Sequence, residues 1–108
     1  MKLASTALVV LFAALASAAP AAAPISFVLM GDSTTATDGG WGDGFCRDVT
    51  TGTGCFNRAK GGATTGSFVA GGYFAKSIAD IKAEVAKGRR VLATLQFGHN
   101  DQKIVRPL

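Results

Sequence analysis

Residues 27–35 read Phe-Val-Leu-Met-Gly-Asp-Ser-Thr-Thr, an apolar, strand-like run that stops abruptly at small and polar residues. Residues 96–101, Gln-Phe-Gly-His-Asn-Asp, close a second apolar run in the same way. Open α/β sheets carry their functional groups at the carboxyl ends of such strands. The two runs therefore predict an α/β fold in which a hydroxyl and an amide lie at one edge of a sheet.

The other predicted elements lie around these two strands. Apolar runs of strand length predict buried parallel strands, and apolar residues at helical spacing predict helices. The longer helix shows the clearest pattern, with Phe74, Ile78, Ile81 and Val85 at helical spacing and Gly88 as a stop. Strands are predicted at residues 25–30, 55–59 and 91–97, and helices at residues 41–49 and 73–87.

The start of the 108-residue chain has the composition of a secretory leader. A basic Met1-Lys2 precedes an apolar segment, and Ala16-Ser17-Ala18 fits the small-x-small cleavage pattern. The segment is interrupted by polar residues and is shorter than the roughly 20 apolar residues that a membrane span needs. We therefore predict a signal peptide over residues 1–18, an Ala/Pro spacer over 19–24, one small domain over 25–108, and a secreted protein without a membrane anchor.

Cys46 and Cys55 are the two cysteines of the chain. Secretion exposes them to an oxidising compartment, which favours a disulfide. The loop-entropy relation gives a bridge of this span roughly 2–3 kcal/mol of stabilisation. Two unpaired buried thiols are the alternative.

The chain has 11 basic and 7 acidic residues, a net charge of +4. The positive residues are spread over the longer helix and its exit, where Asp80 and Glu84 alternate with them. This pattern predicts a solvated helix face rather than a nucleic-acid-binding surface. A modest attraction to an anionic polymer is compatible with the charge.

Three groups predict acyl-transfer chemistry. Ser33 follows a buried strand and is a candidate nucleophile. Gly62 has no side chain to obstruct its N–H, and Asn100 carries a side-chain amide, so both are candidate oxyanion donors. Each such donor typically lowers the barrier by about 3 kcal/mol. Taken singly, the three positions also fit a capping residue, a Gly-Gly turn and an Asx-type loop residue.

His99 is the single histidine of the chain. It directly precedes Asn100, so a turn that aims Asn100 at an oxyanion is expected to aim His99 elsewhere. A supporting role, in which His99 fixes the loop by hydrogen bonding, is favoured over a role as catalytic base.

In these residues the chain resembles the SGNH (GDSL-type) hydrolases, and within them the secreted fungal rhamnogalacturonan acetylesterases. Residues 31–36 resemble the serine block of that family, residues 57–62 the glycine block, and residues 98–101 the asparagine block. Trp41-Gly42-Asp43 resembles the motif that opens the first helix of the family. The similarity extends over nearly all of residues 25–108.

The resemblance implies the N-terminal portion of a flavodoxin-like, three-layer α/β/α fold. It implies that Ser33 attacks an ester carbonyl while its own N–H, the Gly62 N–H and the Asn100 side chain bind the oxyanion. The implied substrate is an acetylated pectic polysaccharide, and no metal or organic cofactor is implied. We expect a monomer that binds neither nucleic acid nor membrane.

Two positions depart from the family pattern. Ala63-Thr64 stands where Arg-Ser is usual, which puts the sugar specificity in doubt. The family's Asp-x-x-His block is absent before Leu108, so Ser33 lacks a visible base and the chain is expected to be nearly inactive. We expect a truncated gene product with exposed apolar sheet edges. The alternatives are a secreted, non-catalytic SGNH-like carbohydrate-binding or interaction protein and, with less support, a small disulfide-stapled interaction protein.

Overall fold

The computed structural model describes residues 22–49 and 53–104. The predicted signal peptide, residues 19–21 of the predicted spacer and residues 105–108 of the predicted domain lie outside these ranges. Within them, no helix combines the length and apolar character needed to cross a membrane.

A parallel sheet with the strand order β2-β1-β3 organises the described residues. Val28 of the central strand lies opposite Phe56 on one side and Ala93 on the other. Because the strands are parallel, the turns that follow them lie at the same edge of the sheet. The elements are β1 (Ile25–Gly31), α1 (Gly42–Val49), β2 (Cys55–Asn57), α2 (Thr65–Ala70), α3 (Tyr73–Ala86), β3 (Arg90–Gln96) and a 3₁₀ helix (Asp101–Ile104). The predicted α/β class is confirmed.

The core lies between the sheet and helices α2 and α3. Successive side chains of β1 point to opposite faces of the sheet. Val28 and Met30 pack with Ala63 and Phe68 on the α3 side. Phe27, on the other face, meets Phe45 of α1 edge-on, with ring centroids 5.2 Å apart. Helices therefore cover parts of both faces of the sheet, and the central strand is buried, as the sequence predicts.

Helix α3 forms where it is predicted, but it buries a different side. Ser77 and Glu84 are buried, whereas Phe74 and Val85 are 37% and 55% exposed. Ser77 Oγ donates to the carbonyl of Tyr73, which satisfies its hydroxyl inside the core. The expectation that Glu84 lies on a solvated face is wrong.

Glu84 is buried because other side chains satisfy its charge. Oε2 accepts hydrogen bonds from Ser26 Oγ at 3.1 Å and Arg89 Nη1 at 2.7 Å. Oε1 lies 3.4 Å from Lys87 Nζ. Desolvation alone would raise the pKa of Glu84, but the hydrogen bonds from Arg89, Ser26 and Lys87 outweigh it and hold the pKa below 4.5.

Helix α2 is not predicted from the sequence. Its start is a reciprocal capping box, in which Thr64 Oγ1 accepts from the Ser67 N–H and Ser67 Oγ accepts from the Thr64 N–H, both at 2.9 Å. The Thr-x-x-Ser spacing is a helix-start signal, but it is weak because Glu or Gln is the usual third residue. Gly66, in the first turn, has a low helix propensity and further weakens the sequence signal for a helix.

Strand β2 is shorter than predicted and ends at Asn57. The chain nevertheless continues along β1, since the Arg58 N–H donates to the Leu29 carbonyl at 2.8 Å and the Lys60 N–H to the Gly31 carbonyl at 2.9 Å. Through these hydrogen bonds, residues 58–60 run beside β1 as far as its last residue, Gly31.

The predicted disulfide between Cys46 and Cys55 is present and joins α1 to β2, with the two Cα atoms 5.4 Å apart. The prediction that β3 is a buried strand is wrong: it lies at the other side of the sheet, where Leu92 and Leu95 are 51% and 64% exposed. Strand β3 pairs with β1 along one edge, and within the described ranges its second edge has no strand partner. The expected apolar edge is therefore seen there.

Candidate active site

Three turns meet at the carboxyl edge of the sheet. The serine turn (residues 32–36) follows β1, the glycine turn (residues 60–63) follows β2, and the asparagine turn (residues 98–101) follows β3. Parallel pairing brings these turns together although they are up to 69 residues apart in the sequence. This is the edge at which open α/β sheets bind ligands.

Asp32 builds the serine turn. Its backbone carbonyl accepts from the N–H groups of Thr35 and Ala36, and its Oδ1 accepts from the Thr34 N–H at 2.9 Å and the Thr34 hydroxyl at 2.8 Å. The Thr34 N–H is the main reason that the pKa of Asp32 lies below 3.8, and the electrostatic interaction with His99 acts in the same direction. The carboxylate of Asp32 therefore holds the serine turn together.

Ser33 is left exposed by this turn. Within residues 22–49 and 53–104, neither its hydroxyl nor its N–H has a hydrogen-bond partner. The hydroxyl and the adjacent N–H are therefore both accessible to a bound carbonyl group.

Gly31 allows the serine turn to approach β3. A Cβ at this position would lie 2.8 Å from both the Gln96 carbonyl oxygen and Thr35 Oγ1. Such a contact is too short for any side chain, so only glycine fits. The Asp32 N–H donates to the same Gln96 carbonyl at 3.3 Å, which connects the serine turn to the end of β3.

The glycine turn passes directly beside Ser33. The Ala63 N–H donates to the Lys60 carbonyl at 3.1 Å, and Gly62 has a φ of 78°, a conformation that favours glycine. A Cβ placed on Gly61 would lie 4.0 Å from the Cβ of Ser33. Gly62, one residue further on, is exposed, and its N–H has no hydrogen-bond acceptor within the described part of the chain.

The asparagine turn is attached to the residue after Gly62. Asn100 is 8% exposed, and its Nδ2 donates to the Ala63 carbonyl at 3.0 Å. Its Oδ1 accepts from Lys103 Nζ at 3.2 Å. A carboxamide nitrogen carries two hydrogens, so one remains for a ligand.

Asp101 secures the same turn from its other side. Its Oδ1 accepts from the Thr65 N–H at 3.0 Å and from the Thr65 hydroxyl at 2.5 Å. The Thr65 hydroxyl and N–H hold the pKa of Asp101 below 3.8. The start of α2 and the asparagine turn are therefore joined beside the site.

Ser33, Gly62 and Asn100 thus lie along one short segment of chain, residues 60–63. Ser33 lies beside Gly61, and Gly62 is the next residue of the segment. Asn100 donates a hydrogen bond to the carbonyl of Ala63. His99, by contrast, is exposed and makes no hydrogen bond to any residue of the described ranges. The loop-fixing hydrogen bond that we expected of His99 is therefore not seen there, and Asp101 and Thr65 fix the turn instead.

Gln96 is a site residue that the sequence analysis did not identify. Its Oε1 accepts from Trp41 Nε1 at 2.6 Å and from Thr35 Oγ1 at 3.0 Å. Asn57 of β2 also makes two such links. Its Nδ2 donates to the Thr35 carbonyl at 2.9 Å and to Asp43 Oδ1 at 3.0 Å. The position of Gln96 at the end of a strand was the available signal, but its partners lie more than 50 residues away.

The three turns place an exposed hydroxyl beside the glycine turn, and the Asn100 carboxamide is hydrogen-bonded to the same turn. No pocket is found among the described residues. Together, the parallel sheet and this edge define an α/β protein with an exposed serine beside two amide-bearing turns.

Comparison with known proteins gives one informative similarity. The chain is 40% identical over 87 residues to a protein named rhamnogalacturonan acetylesterase RhgT, from Bacillus subtilis (strain 168). The match covers 74% of this chain and 35% of that protein, so the chain spans about a third of its relative's length. No family model and no solved structure matches the chain. The chain is therefore similar to part of a protein that is named as an acetylesterase.

Proposed function

We propose that this chain carries the serine and oxyanion-binding part of a secreted SGNH-type carboxylic ester hydrolase. Ser33 is the nucleophile, and the Ser33 N–H, the Gly62 N–H and Asn100 Nδ2 are the oxyanion donors. The main support is the hydrogen bond from Asn100 to Ala63, because it holds the amide against the glycine turn that runs beside Ser33.

The fold supports the same family. The order β2-β1-β3 in a parallel sheet agrees with the first strands of the flavodoxin-like order, 2-1-3-4-5. We therefore propose a flavodoxin-like α/β/α arrangement for the domain to which residues 25–108 contribute.

The proposed reaction is acyl transfer through serine. Ser33 Oγ attacks the ester carbonyl carbon as its proton passes to a base, and the carbonyl π electrons move to the oxygen. The oxyanion accepts hydrogen bonds from the three donors. Collapse of the intermediate breaks the bond to the alcohol oxygen, which leaves with a proton. Water then attacks the acyl-serine and releases the acid.

No residue is assigned as the general base in this scheme. The resemblance implies an Asp-x-x-His block, and residues 101–108 contain no histidine. With one triad member missing, an oxyanion hole and substrate binding still give roughly 10³- to 10⁴-fold catalysis over water. Because that residual does not require the serine, the part of a low rate that is lost when Ser33 is removed measures attack by its hydroxyl with solvent water as the proton acceptor.

The proposed substrate is an O-acetyl group on a pectic polysaccharide, and the proposed form is a monomer. The name of the relative and the similarity of the three blocks support this substrate. A net charge of +4 is compatible with attraction to an anionic polymer. A secreted, non-catalytic protein that keeps a sugar-binding surface is the second candidate, since residues 25–108 contain no Asp-x-x-His block.

Hydrolysis of 4-nitrophenyl acetate by the wild-type chain and by Ser33→Ala separates the two candidates. Thr37→Ala is the matched control, since it removes another exposed hydroxyl just beyond the serine turn. We expect the rate above buffer to fall in Ser33→Ala to the part that the oxyanion donors and binding supply, and to stay at the wild-type value in Thr37→Ala. Equal rates in all three proteins would contradict the esterase proposal for this chain and support the non-catalytic candidate.

A further inference from the structure

The Asn100 carboxamide is held at both of its ends. Its nitrogen donates to the Ala63 carbonyl, and its oxygen accepts from the Lys103 ammonium at 3.2 Å. The function proposed above assigns a role to the nitrogen alone. The contact on the oxygen has no role in that scheme.

The local backbone conformation brings the side chain of Lys103 beside that of Asn100. The Lys103 N–H donates to the Asn100 carbonyl at 3.1 Å at the start of the 3₁₀ helix (Asp101–Ile104). Side chains three residues apart eclipse one another in a 3₁₀ turn. Asp101, bonded to Thr65, keeps this turn against α2. The ammonium group therefore reaches the Asn100 oxygen from a fixed backbone.

The two hydrogen bonds together select one orientation of the amide. A rotation of 180° about the Cβ–Cγ bond would place Oδ1 against the Ala63 carbonyl oxygen and the NH₂ group against the ammonium. The first contact pairs two acceptors and the second pairs two donors, so neither forms a hydrogen bond. The rotated amide would also present an oxygen to a developing oxyanion, which it would repel.

The charge of Lys103 also strengthens Asn100 as a donor. A hydrogen bond from a cation is roughly twice as strong as a neutral one. Withdrawal of electron density through the amide oxygen makes the Nδ2 hydrogens more positive, and hydrogen bonds in series reinforce one another. Because Asn100 is 8% exposed, water screens this effect only in part.

We propose that Lys103 is a positioning residue for the oxyanion donor: through Asn100 Oδ1 it fixes the direction of Nδ2 and strengthens its N–H. The proposal rests on the proposed esterase function, because the second Nδ2 hydrogen is an oxyanion donor only in that scheme. Lys103 itself does not contact the reacting atoms in this scheme.

Two readouts test the proposal, one of which does not require turnover. The proteins are wild type, Lys103→Met, Lys103→Arg and the control Lys82→Met, which removes an exposed lysine of α3. The first readout is the NMR signal pair of the Asn100 side-chain NH₂, assigned by its loss in Asn100→Asp. We expect Lys103→Met to shift this pair and accelerate its hydrogen exchange, and Lys103→Arg and Lys82→Met to preserve it.

The second readout is the Ser33-dependent hydrolysis of 4-nitrophenyl acetate. We expect Lys103→Met to lower kcat roughly 10-fold with little change in KM, because weakening a donor costs less than the 10²- to 10³-fold loss on removing one. Lys103→Arg should restore most of the rate, and Lys82→Met should match wild type.

The outcomes are distinguishable. An unchanged NH₂ signal pair in Lys103→Met would overturn the proposal, whatever the rates are. A shifted pair with an unchanged Ser33-dependent rate would overturn the link to the oxyanion. If no variant shows a Ser33-dependent rate, the esterase function fails and the catalytic role of Lys103 fails with it, while the NMR data still report whether Lys103 orients Asn100.

Discussion

Gln96 shows how one side chain at a strand end can hold a reactive turn. Its Oε1 accepts from Trp41 and Thr35, so one oxygen joins β3 to two parts of the loop between β1 and α1. The same loop contains Ser33, which makes no hydrogen bond of its own to the described residues. The position of the nucleophile is therefore set by its neighbours.

Gln96→Leu should destabilise the protein by about 1–2 kcal/mol, because two donors lose their acceptor. Trp41 is the single tryptophan, so its fluorescence reports directly on one of the two bonds. Urea unfolding followed by fluorescence measures the loss. Gln102→Leu, an exposed substitution, is the control and should stay within about 0.5 kcal/mol of wild type. Equal stabilities and spectra for the two variants would contradict this role of Gln96.

At the scale of elements, two links hold α1 and the turns to the sheet. The disulfide joins α1 to β2, and Asn57 of β2 binds both Asp43 of α1 and the Thr35 carbonyl. On the other face of the sheet, Arg58 forms two hydrogen bonds with Asp80 of α3, at 2.5 and 3.0 Å. Strand β2 is short, and these side-chain and covalent links add to its pairing with β1.

The double variant Cys46→Ser/Cys55→Ser should lose roughly 2–3 kcal/mol of stability, since the short loop gains freedom in the unfolded chain. Urea unfolding followed by circular dichroism gives the value. Wild-type protein treated with a reductant should show the same loss. A loss below about 0.5 kcal/mol in both would mean that the bridge adds nothing to the other links.

At the scale of the whole molecule, buried or bonded carboxylates couple stability to pH. Asp32, Glu84 and Asp101 each have a pKa below the ordinary value, 3.8 for the aspartates and 4.5 for the glutamate. They stabilise the serine turn, helix α3 and the asparagine turn, respectively. The serine turn, helix α3 and the asparagine turn therefore respond together to acid.

The sign of this dependence follows from linkage. A carboxyl group with a lowered pKa in the folded state contributes stability above its unfolded pKa, and the contribution is lost as pH falls through the folded pKa. We therefore expect the urea midpoint to be steady from pH 7 to about pH 5 and to fall steeply below about pH 4. Glu84→Gln should be less stable at pH 7 and lose less on acidification. A midpoint unchanged between pH 7 and pH 3 would contradict the assignment.

Local sequence was sufficient to locate much of the fold and the three candidate site residues. Strand length and apolar content located β1 and β3, and helical spacing located α1 and α3. Two cysteines in an expected secretory context indicated the disulfide. The blocks that contain Ser33, Gly62 and Asn100 were recognisable because each consists of neighbouring residues whose local pattern is visible in the sequence.

Long-range packing decided the rest. Periodicity shows that residues 73–87 form a helix, but the neighbours of the helix select which side is buried, and Ser26, 58 residues away, makes the burial of Glu84 possible. Gln96 and Thr35 are 61 residues apart, and Asn100 and Ala63 are 37 apart. Hydrogen bonds between such distant groups form only when parallel pairing has brought the strand ends together, so no local pattern encodes them.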